Sequence, residues 1–228
     1  METAASGAVA AVRRARSDLV GIVRIACPPV SMLFLRDFQD VVSQVHPGLG
    51  VELLSARAPA DLAKGQADIS IRSVRPGDLD LVVAHRFDIG SAVYAATSYL
   101  AAHGRPASPA GIAGHRLVRY SEPFLHLAAF NWIEQFSDPA VPALRVDNID
   151  MARSLVAAGD GIGVLFCIAG DTAPGVERVF EDPIDRMTIS IVYHEAARGS
   201  ARLRAVLDLL IQYHLERKDA LSGQRPRS

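Results

Sequence analysis

The side chains able to do chemistry are scattered along this chain, and their spacing narrows what that chemistry can be. His85, His103, His115, His126 and His194 show no short ligand spacing with Cys or Asp, so no metal site is expected. Cys27 and Cys167 are too few for a disulfide framework and suit a reducing cytoplasm; each is expected as a small buried hydrophobe rather than a redox switch. The run Gly159-Asp160-Gly161-Ile162-Gly163 has the glycine density of a phosphate loop, yet it precedes a strand, the reverse of a nucleotide fingerprint. No nucleophile stands with a base in a recognisable arrangement, so no catalytic residue, no cofactor and no enzyme are expected. Binding chemistry is left. Ser31 follows Pro28-Pro29 where a strand gives way to a helix, and the free N–H groups of a helix start favour an anion. Its hydroxyl suits a carboxylate, but Ser is equally a common N-cap.

The elements that must position such groups follow from periodicity. Ala4 to Leu19 is rich in Ala, Val and Arg and predicts a helix ending at Gly21. Ile22 to Ala26 predicts a strand stopped by Pro28-Pro29. Leu33, Phe34, Phe38, Val41, Val42 and Val45 give one apolar helical face ended by Pro47-Gly48. A strand over Val51 to Leu54, a short helix over Pro59 to Lys64 and a strand over Ala67 to Ile71 complete a series of βαβ type. A second series has strands at Val93 to Ala96, Leu117 to Tyr120, Leu144 to Val146 and Gly163 to Phe166, with helices near Leu125 to Phe136 and Ile149 to Ala158. The strand Met187 to Tyr193 precedes a helix striped by Leu203, Val206, Leu207, Leu210 and Ile211. The pattern gives an α/β protein, and one continuous sheet or two lobes would read alike.

Composition excludes several partners. Half of the 228 residues are hydrophobic, enough for a sizeable core, and a net charge of -1 offers no electrostatic footprint for nucleic acid or an anionic membrane. No stretch approaches the roughly 18 apolar residues of a membrane helix, and the first residues reverse the order of a signal peptide. A cytoplasmic protein without membrane contact is expected.

Three stretches carry a family resemblance. Gly21-Ile22-Val23-Arg24-Ile25 follows the helix Ala10-Ala11-Val12-Arg13-Arg14-Ala15-Arg16; Gly65 leads to Ala67-Asp68-Ile69-Ser70-Ile71-Arg72; Tyr99-Leu100-Ala101-Ala102-His103-Gly104-Arg105-Pro106 runs on through Pro109 to Ala113-Gly114-His115. In this order, from about Ala10 to Leu215, they resemble the effector-binding domain of LysR-type transcriptional regulators. Thr97-Ser98, Gly111-Ile112 and Leu165-Phe166-Cys167 depart from the usual family text.

The resemblance implies a two-lobe fold like the type II periplasmic binding proteins, with crossover strands near Ile89 to Ala95 and Ile189 to His194. Residues 1–20 would be a remnant of the linker helix, 21–90 with 195–216 regulatory lobe I, 91–194 regulatory lobe II and 217–228 a flexible tail. A small-molecule effector would lie in a cleft lined by Pro29, Val30 and Ser31, by Arg57 and Ala58 at a second junction, and by Arg72, Tyr120, Ser121 and Asn148. Arg72 suits a bidentate carboxylate contact, although a surface ion pair is its ordinary role, and Ser121 and Asn148 are equally turn and cap residues. The implied protein senses a carboxylate-bearing metabolite, forms a homodimer or tetramer, and reaches DNA only through a winged helix-turn-helix absent from this chain, which favours a fragment of a full regulator. Alternatives are a solute-binding protein of a transport system and a naturally truncated partner-binding regulator.

Overall fold

The computed structural model describes residues 19–55, 60–73, 80–122, 124–136, 138 and 144–224. Residues 1–18, expected as linker helix, and the candidate ligand residues Arg57 and Ala58 lie outside them. The chain divides into two compact units, the first comprising residues up to Phe87 with Ile189–Glu216, the second Asp88–Thr188 with the segment from Arg217.

In the first unit, β1 (Gly21–Cys27) pairs in parallel with β2 (Leu49–Ser55) and with β3 (Ile69–Arg72), and β3 pairs antiparallel with the end of β9 (Asp185–His194). After β1 the chain makes a 3-10 turn over Pro29–Ser31 and continues as α1 (Met32–Leu35) and α2 (Phe38–Val45). The predicted single helix is thus interrupted, with Asp37 at φ -95° and ψ 3° between its halves. The apolar spacing still works, because Phe34, Leu35, Phe38 and Val42 are all buried. Gln39 fastens α2 to the outer strand: its side chain accepts from the Val51 N–H at 2.6 Å and donates to the Leu49 carbonyl at 3.4 Å. That bonding covers backbone groups an edge strand would otherwise expose.

The sixteen-residue α7 is the last element of this unit (Ala201–Glu216) and buries Leu203, Val206, Leu207, Leu210 and Tyr213. Tyr213 donates its hydroxyl to the Phe34 carbonyl at 2.6 Å, and its ring meets Phe38 edge-on. The sheet's other packing cluster joins Ala26, Leu62, Ala67 and Val192 with Leu81 and Val83 at the start of β4 (Leu81–Ala96). The helix expected over Pro59 to Lys64 is a turn where described. Asp61 uses its carboxylate on the Lys64 N–H and its own N–H on the Gln66 side chain, a local arrangement that competes with helix.

In the second unit, β5 (Leu117–Tyr120) lies parallel between β6 (Leu144–Val146) and β7 (Ile162–Phe166); β7 pairs antiparallel with β4, whose last residues also pair with β8 (Val176–Arg178). Helices α3 (Thr97–His103), α4 (Ala128–Trp132), α5 (Ile149–Ala158) and α6 (Cys167–Gly170) connect them. Helix α5 ends at Gly159, whose φ of +83° only glycine adopts without strain, with the N–H groups of Gly159 and Asp160 closing back on Val156 and Leu155. At Gly161 a Cβ would stand 2.4 Å from the Arg116 carbonyl, so this glycine run serves a helix end and a close strand approach.

Strands β4 and β9 carry the chain from one unit to the other, and it passes a third time after Glu216. The expectation of a flexible tail is corrected for residues 217–224. Helix α8 (Lys218–Ser222) packs against α6 and buries Leu221 completely.

Candidate functional site

Parallel strands end at a common edge, and in α/β sheets ligands gather outside those carboxyl ends. In the first unit the register Cys27↔Ser55 and Ala26↔Ser70 brings the ends of β1, β2 and β3 level. Pro29, Val30 and Ser31 form the turn leaving β1, and Arg72 closes β3 in register with Ser190.

Ser31 is buried, with helical φ -64° and ψ -22°, and its side chain makes no capping bond to the helix behind it. The N-cap alternative is thereby set aside. Its hydroxyl instead bonds the Cys27 thiol, which burial pushes up to about 11 against the smaller opposing effect of that bond. Cys27 therefore stays a thiol near neutrality, without the thiolate that nucleophilic or redox chemistry needs. Cys167, in the other unit, is also free and buried, its thiol pushed up by burial.

The corresponding edge of the second unit follows β5, β6 and β7, where Tyr120 pairs with Val146. Tyr120 is completely buried, packs at a tilt against the rings of Phe124 and Phe130, and donates its hydroxyl to the Val164 carbonyl at 3.2 Å. Ser121 turns both its N–H and its hydroxyl onto the Val146 carbonyl, at 2.8 and 3.2 Å, which ties β5 to β6. Asn148 caps α5, its side-chain oxygen accepting from the N–H groups of Asp150 and Met151. Changing Tyr120 to Phe is expected to cost about 1 kcal/mol of stability in urea denaturation, the net value of one buried hydrogen bond. Because the hydroxyl is directed into the sheet, ligand affinity should stay within about twofold in the same variant.

A charged group at this edge escaped the sequence reading. Arg119 and Arg145 are opposite each other on β5 and β6 and both contact Glu134, Arg119 with its Nε at 2.7 Å and Arg145 with its Nη2 at 3.2 Å. Arg145 also donates to the Tyr120 carbonyl at 3.0 Å and remains 44% exposed. Two guanidinium groups thus meet on one carboxylate beside the end of β5, and the available signal was the polar residue in the middle of each short strand. Among the described residues no group of three or more His, Cys, Asp or Glu can hold a metal ion, and no helix is long and apolar enough to cross a membrane.

Residues 16–214 match the family described as the LysR substrate binding domain. The chain is similar to the HTH-type transcriptional regulator CrgA of Neisseria meningitidis serogroup C, with 27% identity over 200 residues covering 84% of this chain and 67% of that protein. It is also similar to the HTH-type transcriptional repressor PA14_22550 of Pseudomonas aeruginosa, 25% identical over 224 residues, 94% of this chain and 68% of that one. The chain thus spans about two thirds of the length of these relatives. Among solved structures, the CrgA regulatory domain from Neisseria meningitidis superposes with a TM-score of 0.69 at 24% identity, over 85% of this chain and 98% of that one.

Proposed function

Because the chain belongs to the LysR substrate-binding domain family, we propose that it senses a small, carboxylate-bearing metabolite and passes the binding event to DNA-binding heads. The observation that carries this reading is Ser31: a buried hydroxyl at the carboxyl end of a parallel strand, next to a helical turn and without a capping duty. Pro29 and Val30 place backbone around it, and Arg72 ends the strand one position beyond β1 on the same edge. A carboxylate accepts from a hydroxyl and from a guanidinium fork with charge-assisted strength. In the second unit, Ser121, Asn148 and the exposed part of Arg145 supply the polar groups of the corresponding edge, and Tyr120 supports them from the core.

Transmission requires two states that the ligand distinguishes by differential affinity. We assign the role of receiver to a homodimer or tetramer working in the cytoplasm, with DNA contacted through a winged helix-turn-helix outside this sequence; the regulator names of the relatives support this.

A thermal-shift panel of small organic acids, amino acids and aromatic carboxylates tests the reading. At a hundredfold over its Kd a true ligand stabilises by about 2.7 kcal/mol, several degrees for a protein this size. Ser31→Ala should weaken that ligand by about tenfold, read from the ligand-induced shift and not from the melting point alone, because the variant also loses the bond to Cys27. A folded protein that no carboxylate stabilises would contradict the proposal.

A further inference from the structure

The stretch from Tyr99 to Arg116 builds a separate pocket within the second unit, of 370 Å³ and lined by Tyr99, His103, Ala113, Gly114, His115 and Arg116. Tyr99 is its buried hub. The Tyr99 hydroxyl accepts from the Arg116 N–H at 3.0 Å and lies 3.3 Å from His115 Nδ1. The Tyr99 hydroxyl can donate to Nδ1 or accept from it, according to the tautomer of the His115 ring. The His103 ring stacks on Tyr99 at 4.3 Å and 14°, with Nδ1 3.1 Å from the Tyr99 carbonyl. A carbonyl only accepts, so His103 carries its neutral proton on Nδ1 and keeps an open lone pair on Nε2. The Arg116 guanidinium stands 5.8 Å from the Tyr99 ring centre and spends Nη2 on the Gly159 carbonyl.

The lining therefore holds a permanent cation and two imidazole rings. Among the described residues no carboxylate lines it. Arg105, the neighbouring cation, is occupied with Glu177 at 2.7 Å. A divalent metal is a poor match, since among the described residues no anionic side chain lines the pocket. We propose that this pocket binds a small dianionic oxyanion, inorganic phosphate or the phosphate end of a monoester, on Arg116, His115 and His103. Consistent with two imidazoles lacking a counter-charge, His115 is held below the usual histidine range by burial and by the nearness of His103.

The proposal is independent of the carboxylate site. Calorimetric titration of the whole chain with sodium phosphate at pH 8, where the dianion predominates and with ionic strength held constant with chloride, should show one saturable site. Arg116→Gln, and separately the pair His103→Gln with His115→Gln, should each weaken phosphate at least tenfold, while Ser31→Ala leaves it unchanged. Glycerol phosphate binding more tightly than phosphate would assign the monoester, and equal or weaker binding the free ion. Absence of saturable heat up to about 50 mM phosphate, a Kd too weak to matter, would overturn the proposal. So would unchanged binding in Arg116→Gln, provided that its circular dichroism and urea midpoint show a folded protein.

Discussion

Arg178→Met is expected to destabilise the protein by about 3–5 kcal/mol, the usual cost of removing one partner from a buried ion pair. The guanidinium is 2% exposed and lies 2.6 Å from the Asp171 carboxylate. Its Nε reaches Asp171 at 3.0 Å and the Tyr94 hydroxyl at 3.3 Å, Nη1 donates to the Glu181 carbonyl, and Nη2 donates to the Gly223 carbonyl at 2.9 Å. Burial opposes this charge, but Asp171 and Tyr94 more than offset it and hold the guanidinium firmly protonated. Met keeps only the apolar stem of the side chain and satisfies none of these acceptors, so Asp171 is left without its main counter-charge. Urea denaturation followed through Trp132, the single tryptophan and a residue of the second unit, reads the loss directly. The double variant with Asp171→Asn should recover part of it, because the stranded carboxylate is then neutral. A change below about 1 kcal/mol would show that the hub contributes little.

Leu221→Ala carries the second large effect, about 2–5 kcal/mol, because a fully buried leucine is replaced by a cavity. Helix α8 is anchored by this side chain and by two backbone carbonyls, Gly223 to Arg178 and Ser222 to Arg186 Nε at 3.1 Å. Together they seat the last described segment on the second unit. A flexible tail would give a change within about 0.5 kcal/mol, the ordinary range for exposed positions. The same urea measurement separates the two.

These two positions also mark where sequence reasoning stops. The strands β1 and β2, the apolar face of α1 and α2 and the stripe of α7 were legible because burial imposes a period on the chain: Val23 and Ile25 alternate, and Leu203, Val206, Leu207 and Leu210 recur at helical spacing. Nothing periodic announces Arg178 or Leu221. Arg178 is a lone arginine in a three-residue strand, and its partner at Gly223 is 45 residues away. Leu221 sits alone among polar residues, so composition alone gives a tail.

The candidate ligand residues divide in the same way. Local sequence placed Ser31 and Asn148 at the starts of helices, but only the backbone geometry shows that Asn148 caps and Ser31 does not. Tyr120 looked like a polar group at a strand end. The register of β5 with β7 turns its hydroxyl onto Val164, a consequence of pairing between distant segments. Arg145 lies opposite Arg119 for the same reason, and the polar residue inside each short strand gave no hint that the two would face each other.

The central claim, recognition of a carboxylate at the strand edges, is tested most directly by amide chemical-shift mapping of the ¹⁵N-labelled chain with the acid that stabilises it best. The account predicts that the largest shifts fall on the amides of Val30, Ser31 and Met32 and on Arg72, with a further group at Ser121 and the start of α5, and that Ser31→Ala diminishes them. Shifts confined to other surfaces, or to the His103 to Arg116 pocket, would contradict it.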